Sequence, residues 1–238
     1  MKAILKILSV LIFAIGILIG MALTAGTVVA SLESDFYFGP GYPSDEGLKT
    51  LKCPVVMTSQ EVGVISVSLV NTTDKTIEPM IQLEISNPGL FENPREKYPI
   101  KVGASRMIQW EVTSENAVFD RLILIRAYQF PTYRTPSRSG TCGILMVDLF
   151  GLRGNQILTL VFTTSLVCIG LGLGMWLLLN RPLRGKPWMA SRAMLAVASS
   201  VAVGMVVGYY SIWLLGIIAL VLALLMSAEV IKQFVLAE

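Results

Sequence analysis

Three stretches of this chain carry no charged side chain over more than twenty residues: 7–30, 157–179 and 193–228. Nothing else in the sequence limits the fold as strongly. In hydrocarbon every backbone N–H and C=O has to be satisfied within the protein, so an uncharged run of this length reads as a membrane-spanning helix. The first two runs hold 24 and 23 residues. At about 1.5 Å per residue, each matches a hydrocarbon core of about 30 Å. The third run holds 36 residues, too many for one crossing. It divides best into two helices turning near Tyr209, Tyr210 and Ser211, where paired tyrosines suit the membrane–water interface. Its short arms also leave a re-entrant hairpin open. The expected helices are 1–30, 155–180, 193–210 and 212–231.

Lysine and arginine near the spans set the expected orientation. Lys2 and Lys6 precede the first run. Arg181, Arg184, Lys186 and Arg192 fill the loop 181–192, which has no acidic residue. Both segments are therefore expected in the cytoplasm. Residues 31–156 then lie outside and the tail 232–238 inside, and four crossings satisfy every assignment. The external segment holds 14 acidic and 12 basic residues, so the excess positive charge is mostly cytoplasmic. Residues 1–30 also have the order of a secretory leader, with Val28-Val29-Ala30 as the cleavage site. An apolar run of 24 exceeds the 7–15 of a leader, which favours a retained signal anchor.

Glycine at 170, 172 and 174 raises the question of a phosphate-cradling turn. That chemistry requires G-x-G-x-x-G after a strand and an acidic residue about 20 positions on. Here the spacing is G-x-G-x-G, and no acidic residue follows until Glu229. The membrane alternative is close helix packing through small residues four apart. Gly16/Gly20, Gly170/Gly174 and Gly204/Gly208 all have that spacing and are the expected packing sites, within the chain or against another subunit. The bland alternative is that glycine is simply common in membrane helices.

The composition agrees with a membrane protein. Hydrophobic residues make up 54% of the chain, charged residues 15%, and mean hydropathy is +0.67. This balance excludes a disordered or nucleic-acid-binding chain.

Residues 31–50 are rich in Gly, Pro, Ser and acids and read as a linker. From about Leu51 the period changes to two. Ile65, Val67 and Leu69 alternate with Ser66, Ser68 and Val70, and Ile81, Leu83 and Ile85 with Gln82, Glu84 and Ser86. Ile108, Trp110 and Val112 alternate with Gln109 and Glu111. Strands with one buried face have this pattern. Seven are expected, near 54–59, 63–71, 77–86, 97–102, 105–114, 119–129 and 141–149, forming an antiparallel sandwich over 51–150. Within 54–113, a strand, an Asn-Thr-rich turn, a second strand and then Lys-Val-Gly-Ala-Ser before a Trp-bearing strand resemble bacterial immunoglobulin-like modules of the CARDB type. The resemblance implies a fold, not a ligand. The fold class is thus an α + β membrane protein with four transmembrane helices and an extracytoplasmic Ig-like sandwich.

Cys53 and Cys142 both fall outside the expected membrane, in a compartment that permits disulfides, and are expected to bridge a loop of about 90 residues. Cys168 reads as a small packing residue within the second helix.

The chain has no histidine. That removes His-based triads, cupredoxin-type copper sites and imidazole-ligated haem. No catalytic residue, metal ligand or cofactor is expected. Glu92/Glu96 and Asp45/Glu46 lack the spacing of a calcium loop and read as loop charges. Asn71-Thr72-Thr73 is formally a glycan acceptor but reads as a polar turn. Glu229 and Lys232 read as a surface pair, so no ion pathway is indicated.

Two aromatic loops remain. Phe36, Tyr37, Phe38 and Tyr42 form one, suited to an interfacial belt or local packing. Tyr128, Phe130, Tyr133, Arg134 and Arg138 form the other, where aromatics with arginine suit a partner contact. The expected function is a non-enzymatic accessory or structural subunit of a membrane complex. Its partners are the lipid bilayer and other membrane subunits or further copies of itself. A stand-alone surface receptor binding a glycan, peptide or envelope component is the alternative, and a small transporter a more remote one.

Overall fold

The computed structural model describes residues 2–38, 43–88, 95–182 and 185–235. It divides into a helical unit, Met1–Val28 with Leu158–Glu238, and a β unit, Val29–Ile157.

The helical unit draws on four helices: α1 Lys2–Tyr37, α2 Gly154–Leu179, α3 Lys186–Tyr209 and α4 Trp213–Val235. Three are long and apolar enough to cross a membrane: Ile4–Tyr37, Gly154–Leu179 and Pro187–Tyr209. The apolar stretch of α4, Trp213–Glu229, is shorter among the described residues. Phe13, Ile17, Leu23, Ile169, Trp176, Met194, Val197, Val201, Met205 and Ala223 form the buried core of this unit. The opposite faces of the helices expose leucine, isoleucine and valine, among them Leu18, Leu171, Val203 and Leu225. A surface of this kind is compatible with a lipid environment.

Three boundaries differ from expectation. α1 does not end at residue 30 but continues to Tyr37, taking up the first part of the expected 31–50 linker. No helix breaker occurs before Gly39-Pro40, and the added turns find partners in the β unit, described below. The expected loop 181–192 is shorter, because α3 begins at Lys186 with Pro187 in its first turn, a favoured position for proline. Arg192 is therefore helical. α4 runs to Val235, into the expected tail. The turn between α3 and α4 passes through Ser211, at φ 56°.

The β unit is a two-sheet sandwich. Its strands are β1 Glu46–Gly47, β2 Leu51–Lys52, β3 Val56–Met57, β4 Gly63–Val70, β5 Met80–Ile85, β6 Arg95–Lys97, β7 Ser105–Val112, β8 Leu122–Gln129 and β9 Arg138–Met146. One sheet has the order β1-β9-β8-β5-β6, with β3 also on β9, and the other the order β2-β4-β7. The long ladders are antiparallel, whereas the short β1 and β3 run parallel to β9. The alternating residues meet between the sheets: Ile65, Val67 and Leu69 with Ile108 and Val112 on one side, Ile81, Leu83, Ile85, Ile123, Ile125 and Ile144 on the other. The Cys53–Cys142 disulfide joins the end of β2 to the middle of β9 and so ties the two sheets together.

β8 departs from simple alternation, since Leu122 to Ile125 are all buried. The outward face of its sheet is covered by the last turns of α1. Ala30 packs with Val118, Leu122 and Leu124, joined by Tyr37, Phe38 and Leu145. A Cβ at Gly143 would overlap the Ala30 carbonyl, so glycine is required for the helix to lie this close. Ser34 is fully buried. Its hydroxyl accepts the Ile125 N–H at 3.0 Å and donates to the Cys142 carbonyl at 2.7 Å. The Thr141 hydroxyl donates to Asp35, and the Arg126 guanidinium, ion-paired with Glu84, sits 5.1 Å over the Phe38 ring.

Candidate functional site

The connection between β8 and β9 presents Tyr133 and Arg134 on the surface of the β unit. Thr132 and Thr135 exchange two backbone hydrogen bonds, at 3.1 and 2.9 Å, and Arg134 sits at φ 52° between them. This tight turn thrusts Tyr133 outward. The Lys75 ammonium lies 5.4 Å from the ring centroid and the Arg134 guanidinium 5.2 Å, so the tyrosine is flanked by two cations. Arg134 approaches exposed Asp74 at 3.8 Å, a contact of little energetic weight in water.

The base of the hairpin is held firmly. Asp45 accepts the Ser137 hydroxyl at 2.7 Å and its N–H at 3.0 Å. These bonds hold the Asp45 carboxyl below the usual carboxylate range, the hydroxyl contributing most. Glu46 pairs with Arg138 at 2.9 Å. The Asp45/Glu46 pair that reads as loop charges thus ties the β9 arm of the hairpin to β1.

Of the five aromatic and arginine residues expected as contacts, only Tyr133 and Arg134 are presented to solvent. Tyr128 is buried, donates its hydroxyl to the Pro43 carbonyl at 3.1 Å, and meets Phe130 edge-to-face at 4.8 Å. Arg138 is occupied by Glu46. Lys75 joins the site from the neighbouring 71–75 turn, and no sequence signal linked it to Tyr133.

That turn is built by Asn71. Its amide donates to the Lys75 and Ile100 carbonyls at 2.8 and 2.9 Å, and its oxygen accepts the Thr73 N–H at 2.9 Å. Asn71 is fully buried, so the formal glycan acceptor is a structural residue. Tyr98, nearby in sequence to β6, donates to Glu96 at 2.7 Å; burial, then Glu96, pushes its hydroxyl up to about 12.

At the start of α2, Glu61 accepts the Gly154 N–H at 2.8 Å and the Thr58 N–H at 3.0 Å. Burial raises its carboxyl, but these bonds, the Thr58 hydroxyl and the Arg153 charge outweigh it and leave the carboxyl below its usual range. A carboxylate capping a helix N-terminus is favourable for the same reason.

In the first aromatic group, Phe36 is exposed, while Tyr37 and Phe38 pack edge-to-face at 5.2 Å. Tyr42, Glu92 and Arg184 lie outside the described residues, as does the Lys186 side chain. Lys2, Arg181 and Arg192 are exposed and Lys6 is half-buried. Among the described residues no three His, Cys, Asp or Glu side chains gather as a metal site.

The glycines of the helical unit divide in two. A Cβ at Gly16 would sit 2.8 Å from the Ile169 backbone N, and one at Gly20 2.8 Å from Ser165 Oγ. Gly208 is as tight against Thr27 Oγ1, whereas Gly204 is looser, at 3.1 Å from Thr24 Cγ2. Gly170 and Gly174 meet nothing within 4 Å. The expectation that they pack is not met within this chain, because they face away from α1. Gly172, between them, is the glycine in contact, with Phe13 N and Cα at 2.6 and 2.7 Å from its Cβ position. Gly216, against Val28, was likewise invisible to the four-residue spacing.

No family model and no curated protein matches this sequence. Among solved structures, the chain is similar to a CARDB domain from Pyrococcus furiosus in complex with di-metal ions, at 11% identity and a TM-score of 0.32, covering 41% of this chain and 84% of that one. It is also similar to a β-glucosidase from Erythrobacter marinus, at 18% identity and a TM-score of 0.31, over 41% of this chain and 15% of that one. A cycloisomaltooligosaccharide glucanotransferase from Paenibacillus sp. gives 17% identity and a TM-score of 0.33, over 44% of this chain and 15% of that one. The chain therefore spans only a small part of the two enzymes it matches.

Proposed function

We propose that this protein is a non-enzymatic accessory subunit of a membrane complex. Four helices embed it, with both termini in the cytoplasm, and the external sandwich docks onto a partner. The observation that carries this reading is the β8–β9 hairpin: an exposed tyrosine flanked by Lys75 and Arg134, on a base clamped by Asp45–Ser137 and Glu46–Arg138. Interface hot spots favour tyrosine and arginine, and a rigid presentation lowers the entropy lost on binding. The two cations favour an acidic or carbonyl-rich patch on the partner.

The test places a photocrosslinking amino acid at position 133 of the full-length protein in its native membrane, with position 119, an exposed phenylalanine on another turn, as control. A crosslink to a second membrane protein at 133 and not at 119 is expected. A crosslink only to glycan or envelope material would replace this reading with that of a surface receptor. Equal yields at both positions would remove the hairpin as a docking site.

A further inference from the structure

Resting on the reading that α2 crosses a bilayer, we propose that the loop 148–153 is a lipid-inserting finger. Phe150 enters the leaflet next to the start of α2, at the boundary of headgroups and acyl chains.

Phe150 is 91% exposed, more than any other large apolar residue described. It sits at φ 48°, in the left-handed region that bulky side chains rarely adopt, and is followed by Gly151 at φ 67°. The chain therefore accepts backbone strain to hold a phenylalanine away from the protein. In water this placement is doubly unfavourable; in an apolar medium the ring recovers its burial.

The finger is held at its base. The Ser59 N–H donates to Asp148 Oδ1 at 2.8 Å, and the Leu152 N–H to the Leu149 carbonyl at 2.9 Å. A Cβ at Gly154 would lie 2.8 Å from Met57 Cα, so the end of the loop is seated directly on the β3 backbone. The direction of Phe150 is thus a property of the fold and not of a wandering loop.

Its level follows from chain length. Phe150 precedes the first residue of α2 by four positions, at most about 14 Å of extended chain. The backfolded turn shortens this further. A phenylalanine ring, which has no polar edge, is seated on the acyl side of that boundary, as on the apolar face of interfacial segments. Beside the finger opens a recess of about 320 Å³ lined by Thr58, Ser59, Gln60 and residues 148–152. Its hydroxyls, the Gln60 amide and the Asp148 carboxylate suit contact with a zwitterionic headgroup, whereas the Phe150 ring at its edge suits the acyl chains.

The test uses the full-length protein with Cys168→Ser, leaving the Cys53–Cys142 bridge intact, in phosphatidylcholine–phosphatidylglycerol vesicles. A nitroxide label is attached in turn to Phe150→Cys, Leu171→Cys and Met107→Cys. Leu171 is an exposed residue midway along α2, and Met107 an exposed one on β7. Collision with oxygen, which enters lipid, is compared with collision with a nickel chelate, which does not. The oxygen-to-nickel ratio at 150 and 171 is expected to be roughly tenfold above that at 107, since polar solutes are excluded from hydrocarbon. A tryptophan placed by Phe150→Trp should likewise be quenched by brominated lipid and not by iodide. If 171 favours oxygen while 150 favours nickel, the finger is wrong and the crossing of α2 stands. If both favour nickel, α2 does not cross and the finger falls with it. If 150 is shielded from both reagents, a protein partner covers it and lipid insertion is overturned.

Discussion

Replacing Gly172 by alanine adds one methyl group where α1 and α2 touch. Its carbon would lie 2.6–2.7 Å from Phe13 N, Cα and Cβ. A favourable carbon contact lies at about 3.5–4.0 Å, so the shortfall is about 0.9 Å. Two of the three opposing atoms are backbone and cannot rotate aside. The helices must separate, and neighbouring contacts such as Ile169 on Gly16 lengthen with them. Overpacking of this kind costs about 1–3 kcal/mol. Alanine returns at most about 1 kcal/mol through helix propensity, so the net loss is up to about 2 kcal/mol, and about 1–3 kcal/mol relative to a helix position where the methyl group is free. Gly170→Ala is the matched control. It lies two residues away on the same helix and its Cβ meets nothing within 4 Å, so it should be neutral or slightly stabilising. The assay is reversible unfolding in mixed dodecylmaltoside–SDS micelles, followed by tryptophan fluorescence. Trp176 is buried one turn beyond Gly172 and reports on the same contact. If the two variants unfold within about 0.5 kcal/mol of each other, the noise of an ordinary surface change, the close approach at Gly172 is not what holds these helices.

Removing the disulfide by Cys53→Ala with Cys142→Ala releases a loop of 89 residues, which the chain-entropy model values at about 4–5 kcal/mol. At about 4 °C per kcal/mol for a unit of this size, the thermal midpoint of the β unit should fall by well over 10 °C in calorimetry. Ser34→Ala strips the Ile125 N–H and the Cys142 carbonyl of a buried partner at about 1–3 kcal/mol, so amide exchange at Ile125 should accelerate selectively. Glu61 has a folded pKa below the ordinary 4.5, so its stabilisation is present above that value and is lost as pH falls below it. Glu61→Gln should flatten the acid limb of the pH–stability curve; an unchanged limb would mean that other carboxylates govern it.

Much of the architecture was open to inspection in the sequence because it depends on local periodicity. Uncharged runs of helix-spanning length mark apolar helices whatever they pack against. Period-two alternation at Ile65–Leu69, Ile81–Ile85 and Ile108–Val112 marks strands whatever their order in a sheet. Cys53 and Cys142 could be paired because only two cysteines lay outside the uncharged runs. The hairpin at Tyr133 was recognisable as aromatic-rich, but Tyr128 and Phe130 have the same composition and are buried and half-buried respectively. Nothing local separates them, since exposure depends on what Pro43 and the neighbouring strands cover.

What the amino-acid order determined by itself was therefore which segments are helix, which are strand, and which face of each is apolar. Only the tertiary structure decided which face meets which neighbour. Gly170, Gly172 and Gly174 are alike in sequence, yet the direction of α1 selects Gly172 alone for contact. Ser34, Asp35 and Gly143 are ordinary residues until the last turns of α1 lie across β8 and β9, where they become a latch. Periodicity is carried by residues a few positions apart and is written into the chain. Contact is made between residues far apart in the chain, such as Ser34 and Ile125, 91 positions apart, and it exists only once the chain has folded.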